Sequence, residues 1–252
     1  MCSVVILIRP GHAWPLILGA NRDEMANRPW LAPARHWPDR RHVVAGLDKL
    51  AGGSWLGVND EGVAAAVMNR MNTLGPAPGR RSRGELVLEA LDHTDAQSAA
   101  QALAALDPGA YRAFNLLIAD NRDAFWLRNL GHAQGWIDVT PLPAGVSMLT
   151  AHDLNDTDRS LRIRTYLPRF AAAPAPDPER DDWASWEQLL ASGDHAAGGS
   201  ATDGMAFTTE GGFATVSSSL LALPAAGAKR RPVWRFAAGR PGAYPFEKVD
   251  FS

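Results

Sequence analysis

The chain has 252 residues, 46% of them hydrophobic and 21% charged, enough apolar material for one large domain or two small ones. A formal net charge of −2, with Lys229-Arg230-Arg231 as the only tight basic cluster, argues against a nucleic-acid partner. A single cysteine rules out an intrachain disulfide, and the start of the chain has neither a basic leader nor an apolar segment of secretory length, so a reducing compartment, the cytoplasm, is expected.

The first element is a hairpin. Two apolar runs, Val4 to Ile8 and Leu16 to Leu18, flank Pro10, Gly11 and Pro15. The first run is far too short to span a membrane, so no stable insertion is expected. With the tip near His12, counting outward sets Cys2 opposite Arg22, with Asn21 and Asp23 beside it. The only thiol thus meets the polar stretch Asn21-Arg22-Asp23-Glu24. Met1 precedes a small residue, and its removal would leave Cys2 with a thiol and a free α-amino group. Such an amine, with a reference pKa of about 7.7 to 8.0, is partly unprotonated near neutrality and can take the thiol proton. Asp23 would then orient the ammonium, and Arg22 would favour the thiolate or hold an anionic substrate group. The competing reading makes Cys2 a small apolar residue at a strand start and Asn-Arg-Asp-Glu a charged turn.

Arg28 to Arg41 has no period and is expected as a loop anchored by Trp30 and Trp37. A short strand over Val43 to Gly46 is followed by Gly52-Gly53-Ser54-Trp55, either a pocket lining or a tight turn with a core tryptophan. Val63 to Met68 reads as a strand buried on both faces. It ends in Asn69, whose amide would suit an oxyanion or merely start a turn. Arg83 to Leu91 reads as a helix, and Thr94-x-x-Gln97 as a capping box for a second helix ending near Leu106. Strands are expected over Phe114 to Ala119, Ala124 to Leu127, Trp136 to Val139 and Val146 to Leu149. Ile163, Tyr166, Leu167 and Phe170 place an amphipathic helix over Asp158 to Phe170, disturbed near Pro168, and Trp183 to Leu190 forms another. Phe207-Thr208 and Phe213 to Leu223 are read as a C-terminal hairpin whose Thr215 to Ser219 hydroxyls face either a pocket or solvent.

Cys2, Ala20-Asn21-Arg22-Asp23-Glu24, Arg28-Pro29, Ala51 to Gly57, Ser82-Arg83-Gly84-Glu85-Leu86 and Phe114-Asn115-Leu116 together resemble the NRDE family, relatives of the transport and Golgi organisation 2 protein. That family in turn resembles the N-terminal-nucleophile amidohydrolases of penicillin acylase and bile-salt hydrolase type. The resemblance implies an α+β fold, a four-layer αββα sandwich, formed as a single domain over residues 1–252. It carries Cys2, Asn21, Asp23 and Asn69 over as catalytic residues, with Gly57-x-Asn59-x-x-Gly62 leading to Asn69. Arg22, Glu24, Trp30, Trp55, Arg83 and His152 are the substrate-binding candidates. One departure stands out: many relatives place an Asn where this chain has Ala151, so backbone N–H groups or His152 must replace that donor, or it is absent.

The seven histidines form no His-Glu-x-x-His or closely spaced ligand group, and there is no Gly-x-Ser-x-Gly elbow or dinucleotide fingerprint. Two readings remain. One is a cysteine amidohydrolase that forms a Cys2 thioester on a small amphipathic or acyl-containing molecule, with no cofactor. The other follows the family's eukaryotic members and makes the same pocket a carrier of haem or acyl lipid, with haem as cargo.

Overall fold

A computed structural model describes residues 2–132 and 134–251. Met1, whose removal is expected above, lies outside the described residues. In chain order the strands are β1 (Ser3–Ile8), β2 (Leu16–Met25), β3 (Trp30–Ala34), β4 (Val43–Asp48), β5 (Leu56–Asn59), β6 (Ala64–Asn69), β7 (Phe114–Ala119), β8 (Ala124–Asn129), β9 (Asp138–Pro141), β10 (Gly145–Leu149), β11 (Phe213–Leu223), β12 (Val233–Ala237) and β13 (Glu247–Lys248). The helices are α1 (Gly84–Leu91), α2 (Ala96–Ala104), α3 (Leu161–Ala172) and α4 (Ala184–Ala191). The chain divides into two compact units, Met1–Arg28 with Pro143–Val249 and Pro29–Leu142 with Asp250–Ser252. Each pairs one antiparallel sheet with two helices, an α+β construction.

The first unit holds a six-stranded sheet in the order β10-β1-β2-β11-β12-β13. Strand alternation divides its side chains between two faces. Val5 and Leu7 of β1, Ile17 of β2, Met148 of β10 and Leu220 of β11 turn to the helices, packing with Ile163, Tyr166 and Phe170 of α3 and Trp186 and Leu190 of α4. Burying a large apolar side chain contributes about 1.5–3 kcal/mol, so this layer holds both helices down. Helix α3 begins one residue after Ser160, whose side chain accepts from the Ile163 N–H, and runs unbroken through Pro168 to Ala172. The expected hairpin is present, and its ladder pairs Ser3 with Asn21 and Val4 with Ala20, the register obtained by counting. The expected C-terminal hairpin is formed: Thr208 bridges Ala214 in antiparallel register, the Thr209 N–H donates to the Phe213 carbonyl and the Thr215 N–H to the Phe207 carbonyl, and the Gly212 N–H closes the turn on the Thr209 carbonyl. Its second arm, β11, continues between β2 and β12. Thr215 and Ser217 to Ser219 are buried, which removes the solvent-facing alternative.

The second unit is a seven-stranded meander, β3 through β9 in sequence order, with α1 and α2 on one face. Residues 30–34, read as loop, form an edge strand instead; Pro33 is tolerated because an edge has no partner on one side. The cap of α2 is Asp95 rather than Thr94, its carboxylate accepting from the Ser98 N–H at 2.7 Å. Two of the glycine blocks meet here. Ser54 N–H donates to the Gly84 carbonyl at 3.0 Å, and a Cβ on Gly53 would lie 2.4 Å from the Gly84 carbonyl carbon. Asn59 donates to the Leu91 and His93 carbonyls at 2.9 and 2.7 Å and accepts from the Val63 N–H, pinning the end of α1 to the β5–β6 turn.

Candidate active site

The candidate site lies at the end of the first unit's sheet where β1 starts. Extending the β1–β2 ladder by one residue sets Cys2 opposite Arg22, and extending β1–β10 sets it in line with Ala151. Alternation puts Cys2 and Arg22 on one face, while Ser3, Asn21 and Asp23 face the helices. The thiol lies 3.7 Å from the Asp23 backbone carbonyl. Cys2 is half-buried by area, which leaves a route for a dissolved electrophile, yet protein atoms crowd the sulfur. That burial pushes the thiol up from its ordinary value of 9.0, the Asp23 carboxylate pushes the same way, and Arg22 opposes both. The resting thiol is therefore protonated near neutrality and needs a base.

Beneath Cys2, on the helix face, Asp23 is fully enclosed. Its Oδ2 accepts from Arg162 Nη1 at 2.9 Å and its Oδ1 from Thr215 Oγ1 at 2.7 Å. Arg162, reached from α3, also donates to Ser3 Oγ and to the Thr202 carbonyl, and its guanidinium lies over the Phe207 ring. The pair is buried, with side-chain exposures of 3% for Arg162 and 0% for Asp23. Such a pair is retained only when its other donors and acceptors are satisfied, as they are here by Ser3, Thr215 and Thr202. Arg162 was not singled out from the sequence. The signal was there: it precedes Tyr166 and Phe170 by four and eight residues, on the apolar stripe of α3.

Asn21 is occupied structurally. It donates to the Leu190 and Met205 carbonyls, each at 2.9 Å, and accepts from Ser218 Oγ at 2.6 Å, tying α4 and the 205 segment to the sheet. Glu24 accepts from the Met25 N–H and pairs loosely with Arg28 at 3.7 Å. His152 is half-buried, its N–H directed at Thr150 Oγ1 at 3.4 Å.

The remaining candidates belong to the second unit. Asn69 ends β6 half-buried, opposite Phe114. Trp30 and Trp55 meet edge to face at 5.8 Å, with Trp55 lying on Gly46 so closely that a Cβ there would come within 2.3 Å of the ring. Arg83 donates to Thr73 Oγ1 and the Ala113 carbonyl, both at 3.0 Å, and so fastens the loop before α1. Among the described residues no cluster of three or more His, Cys, Asp or Glu is arranged to hold a metal ion.

The family model for Transport and Golgi organisation 2 matches residues 1–192. The chain belongs to this family. It is 39% identical over 130 residues to the Transport and Golgi organization protein 2 homolog of Bos taurus, and 37% over 128 residues to the mouse Transport and Golgi organization 2 homolog. Each match covers 48% of this chain and 45% of the relative, so the match spans about half the length of these curated relatives. Among solved structures, the chain is similar to penicillin V acylase from Agrobacterium tumefaciens, with a TM-score of 0.54, 14% identity, and 94% of this chain and 83% of the other covered. It is similar also to the Caenorhabditis elegans N-acylethanolamine-hydrolyzing acid amidase ortholog, with a TM-score of 0.56, 12% identity, and coverage of 87% and 92%. The conjugated bile acid hydrolase of Clostridium perfringens gives 0.55, 11%, 99% and 92%. The α+β fold of this family member is that of the N-terminal-nucleophile hydrolases. Among the described residues no helix is long and apolar enough to cross a membrane.

Proposed function

We propose that this protein is an N-terminal-cysteine amidohydrolase acting on amide or related acyl bonds in a reducing compartment, the cytoplasm. The observation that carries the reading is Cys2 at the start of β1, beside Arg22, above an Asp23 carboxylate fixed by Arg162 and Thr215. Loss of Met1 exposes the Cys2 amine. That amine takes the thiol proton, the thiolate adds to the substrate carbonyl, and the ammonium returns the proton to the departing amine nitrogen, leaving a thioester on Cys2. Water, deprotonated by the same amine, then attacks the thioester and releases the acid with the thiol restored. Because the thiol is pushed up at rest, the positive charge formed on the amine matters: the thiolate is made beside a cation, which offsets the penalty from burial and Asp23. Ala151 brings no side-chain donor in line with Cys2, so backbone N–H groups at that strand end would hold the oxyanion.

The test is intact-mass analysis of purified protein, first for loss of Met1 and then for an acyl adduct on Cys2 after exposure to acyl amides and acyl thioesters. Acylation of the wild type, absent in Cys2→Ala, is expected. If no compound acylates the wild type while haem or an acyl lipid binds tightly, and binds Cys2→Ala equally well, the carrier reading replaces this one.

A further inference from the structure

The Cys2 face of the sheet carries a buried hydroxyl to which no group among the described residues bonds. Ser217 is 1% exposed, and its hydroxyl reaches no hydrogen-bond partner among the described residues. Its neighbours on β11 are employed, Thr215 on Asp23 and Ser218 on Asn21. Leaving a buried hydroxyl unpaired is destabilising, so a residue kept in that state needs a reason outside the resting fold. The position is also built. The β2–β11 ladder pairs Thr215 with Asp23 but Ser217 with Arg22, so Val216 is an extra residue. Without that bulge Val216 would oppose Arg22; with it, a hydroxyl does. Bulges beside active sites re-aim side chains in this way. Cys2, Arg22 and Ser217 consequently stand in one cross-strand row on one face, a thiol, a cation and a free hydroxyl in succession.

Resting on the hydrolase reading, we propose that Ser217 is a specificity-determining residue. Its hydroxyl, together with Arg22, receives a carboxylate carried on the leaving amine of the substrate, one short residue from the scissile nitrogen. Spacing supports the size of that group. Cys2 and Ser217 are two strand intervals apart, about 10 Å. An attack distance of about 3.3 Å, an extended amino-acid residue of about 3.5 Å and a hydrogen bond of about 2.8 Å together reach the same length. A longer leaving group would carry its carboxylate past the row. A site that hydrogen-bonds a substrate oxygen rejects the analogue lacking it, because its own polar group is then left unpaired.

The experiment compares N-decanoylglycine with N-decanoylpropylamine, which deliver the same decanoyl thioester to Cys2. Acylation rates are read by intact mass for wild type and Ser217→Ala. The wild type should favour the glycine conjugate at least tenfold. Ser217→Ala should lose about tenfold on that conjugate, equivalent to about 1.4 kcal/mol, and less than twofold on the propylamide. Its melting temperature should equal or exceed that of the wild type, since no folded-state bond is lost. An unchanged preference, or equal loss on both amides, overturns the assignment and leaves the hydrolase reading standing. If neither amide acylates the wild type, that reading fails instead, and calorimetric titration with N-decanoylglycine decides the subsite. Weaker binding to Ser217→Ala supports it, whereas equal binding, or none to either protein, overturns it.

Discussion

Arg162→Met is the sharpest test of how the site is held. The substitution preserves the length and apolar stem of the side chain but removes the guanidinium from Asp23 Oδ2, Ser3 Oγ and the Thr202 carbonyl. Both partners are buried, at 3% and 0% side-chain exposure, so the surviving carboxylate has no solvent to compensate it. Breaking one side of such a pair costs about 3–5 kcal/mol. For a chain of this size each kcal/mol moves the melting temperature by about 2–4 °C, so a fall of roughly 6–20 °C is expected. Asp23→Asn alone strands the cation and should cost a similar amount. The double variant strands neither charge, and its loss should be well short of the two single losses combined, giving a coupling energy of at least about 2 kcal/mol. Thermal unfolding of the four proteins, followed by circular dichroism, supplies the cycle. Additive losses, or a single loss below about 1 kcal/mol, would refute the view that this pair fixes the base of the site.

Three further outcomes follow from the same geometry. In protein retaining Met1, alkylation of Cys2 by iodoacetamide should be slower at pH 7 than that of a free cysteine, and should keep rising above pH 9, because the thiol sits above its ordinary 9.0. The same shift fixes a sign for stability. A raised folded-state value is harmless below the ordinary thiol range and costs stability as pH climbs beyond it, so Cys2→Ser should gain in melting temperature relative to that protein between pH 8 and 10. Gly53→Ala, in the second unit, should lose about 1–3 kcal/mol, since its Cβ would meet the Gly84 backbone at 2.4 Å, whereas Gly211→Ala, in the first unit and with nothing within 4 Å, should be near neutral in the same melting assay.

What the sequence disclosed and what it hid differ by the range of the interactions. The β1–β2 register was legible because both strands and their turn lie within 25 residues and the apolar runs leave one sensible pairing. Helix α3 was legible from its 3.6-residue period, yet Arg162 on its apolar stripe was passed over because its carboxylate partner is 139 residues away. The 30–34 strand was missed because an exposed edge strand containing proline shows neither the alternation nor the composition of a paired one. The β11 bulge was illegible for a different reason. Thr-Val-Ser-Ser-Ser alternates in no way that marks Val216 as extra; only the pairing with Asp23 and Arg22 does.

That bulge shows how one strand end serves two purposes. On the helix face, Asn21 and Asp23 are consumed by Ser218, Thr215, Arg162 and the carbonyls of Leu190 and Met205, so β2 cannot slide without unpairing all of them. On the opposite face, Arg22 is flanked by Cys2 and Ser217. A slip of one residue would exchange the faces, sending the arginine into the helix layer and the aspartate toward the thiol. On the hydrolase reading, Asn21 and Asp23 would act on the chemistry through the register: they lock the pairing that presents Cys2, Arg22 and Ser217 in line. Their substitution should damage stability and turnover together, while that of Ser217 should change selectivity with the melting temperature intact.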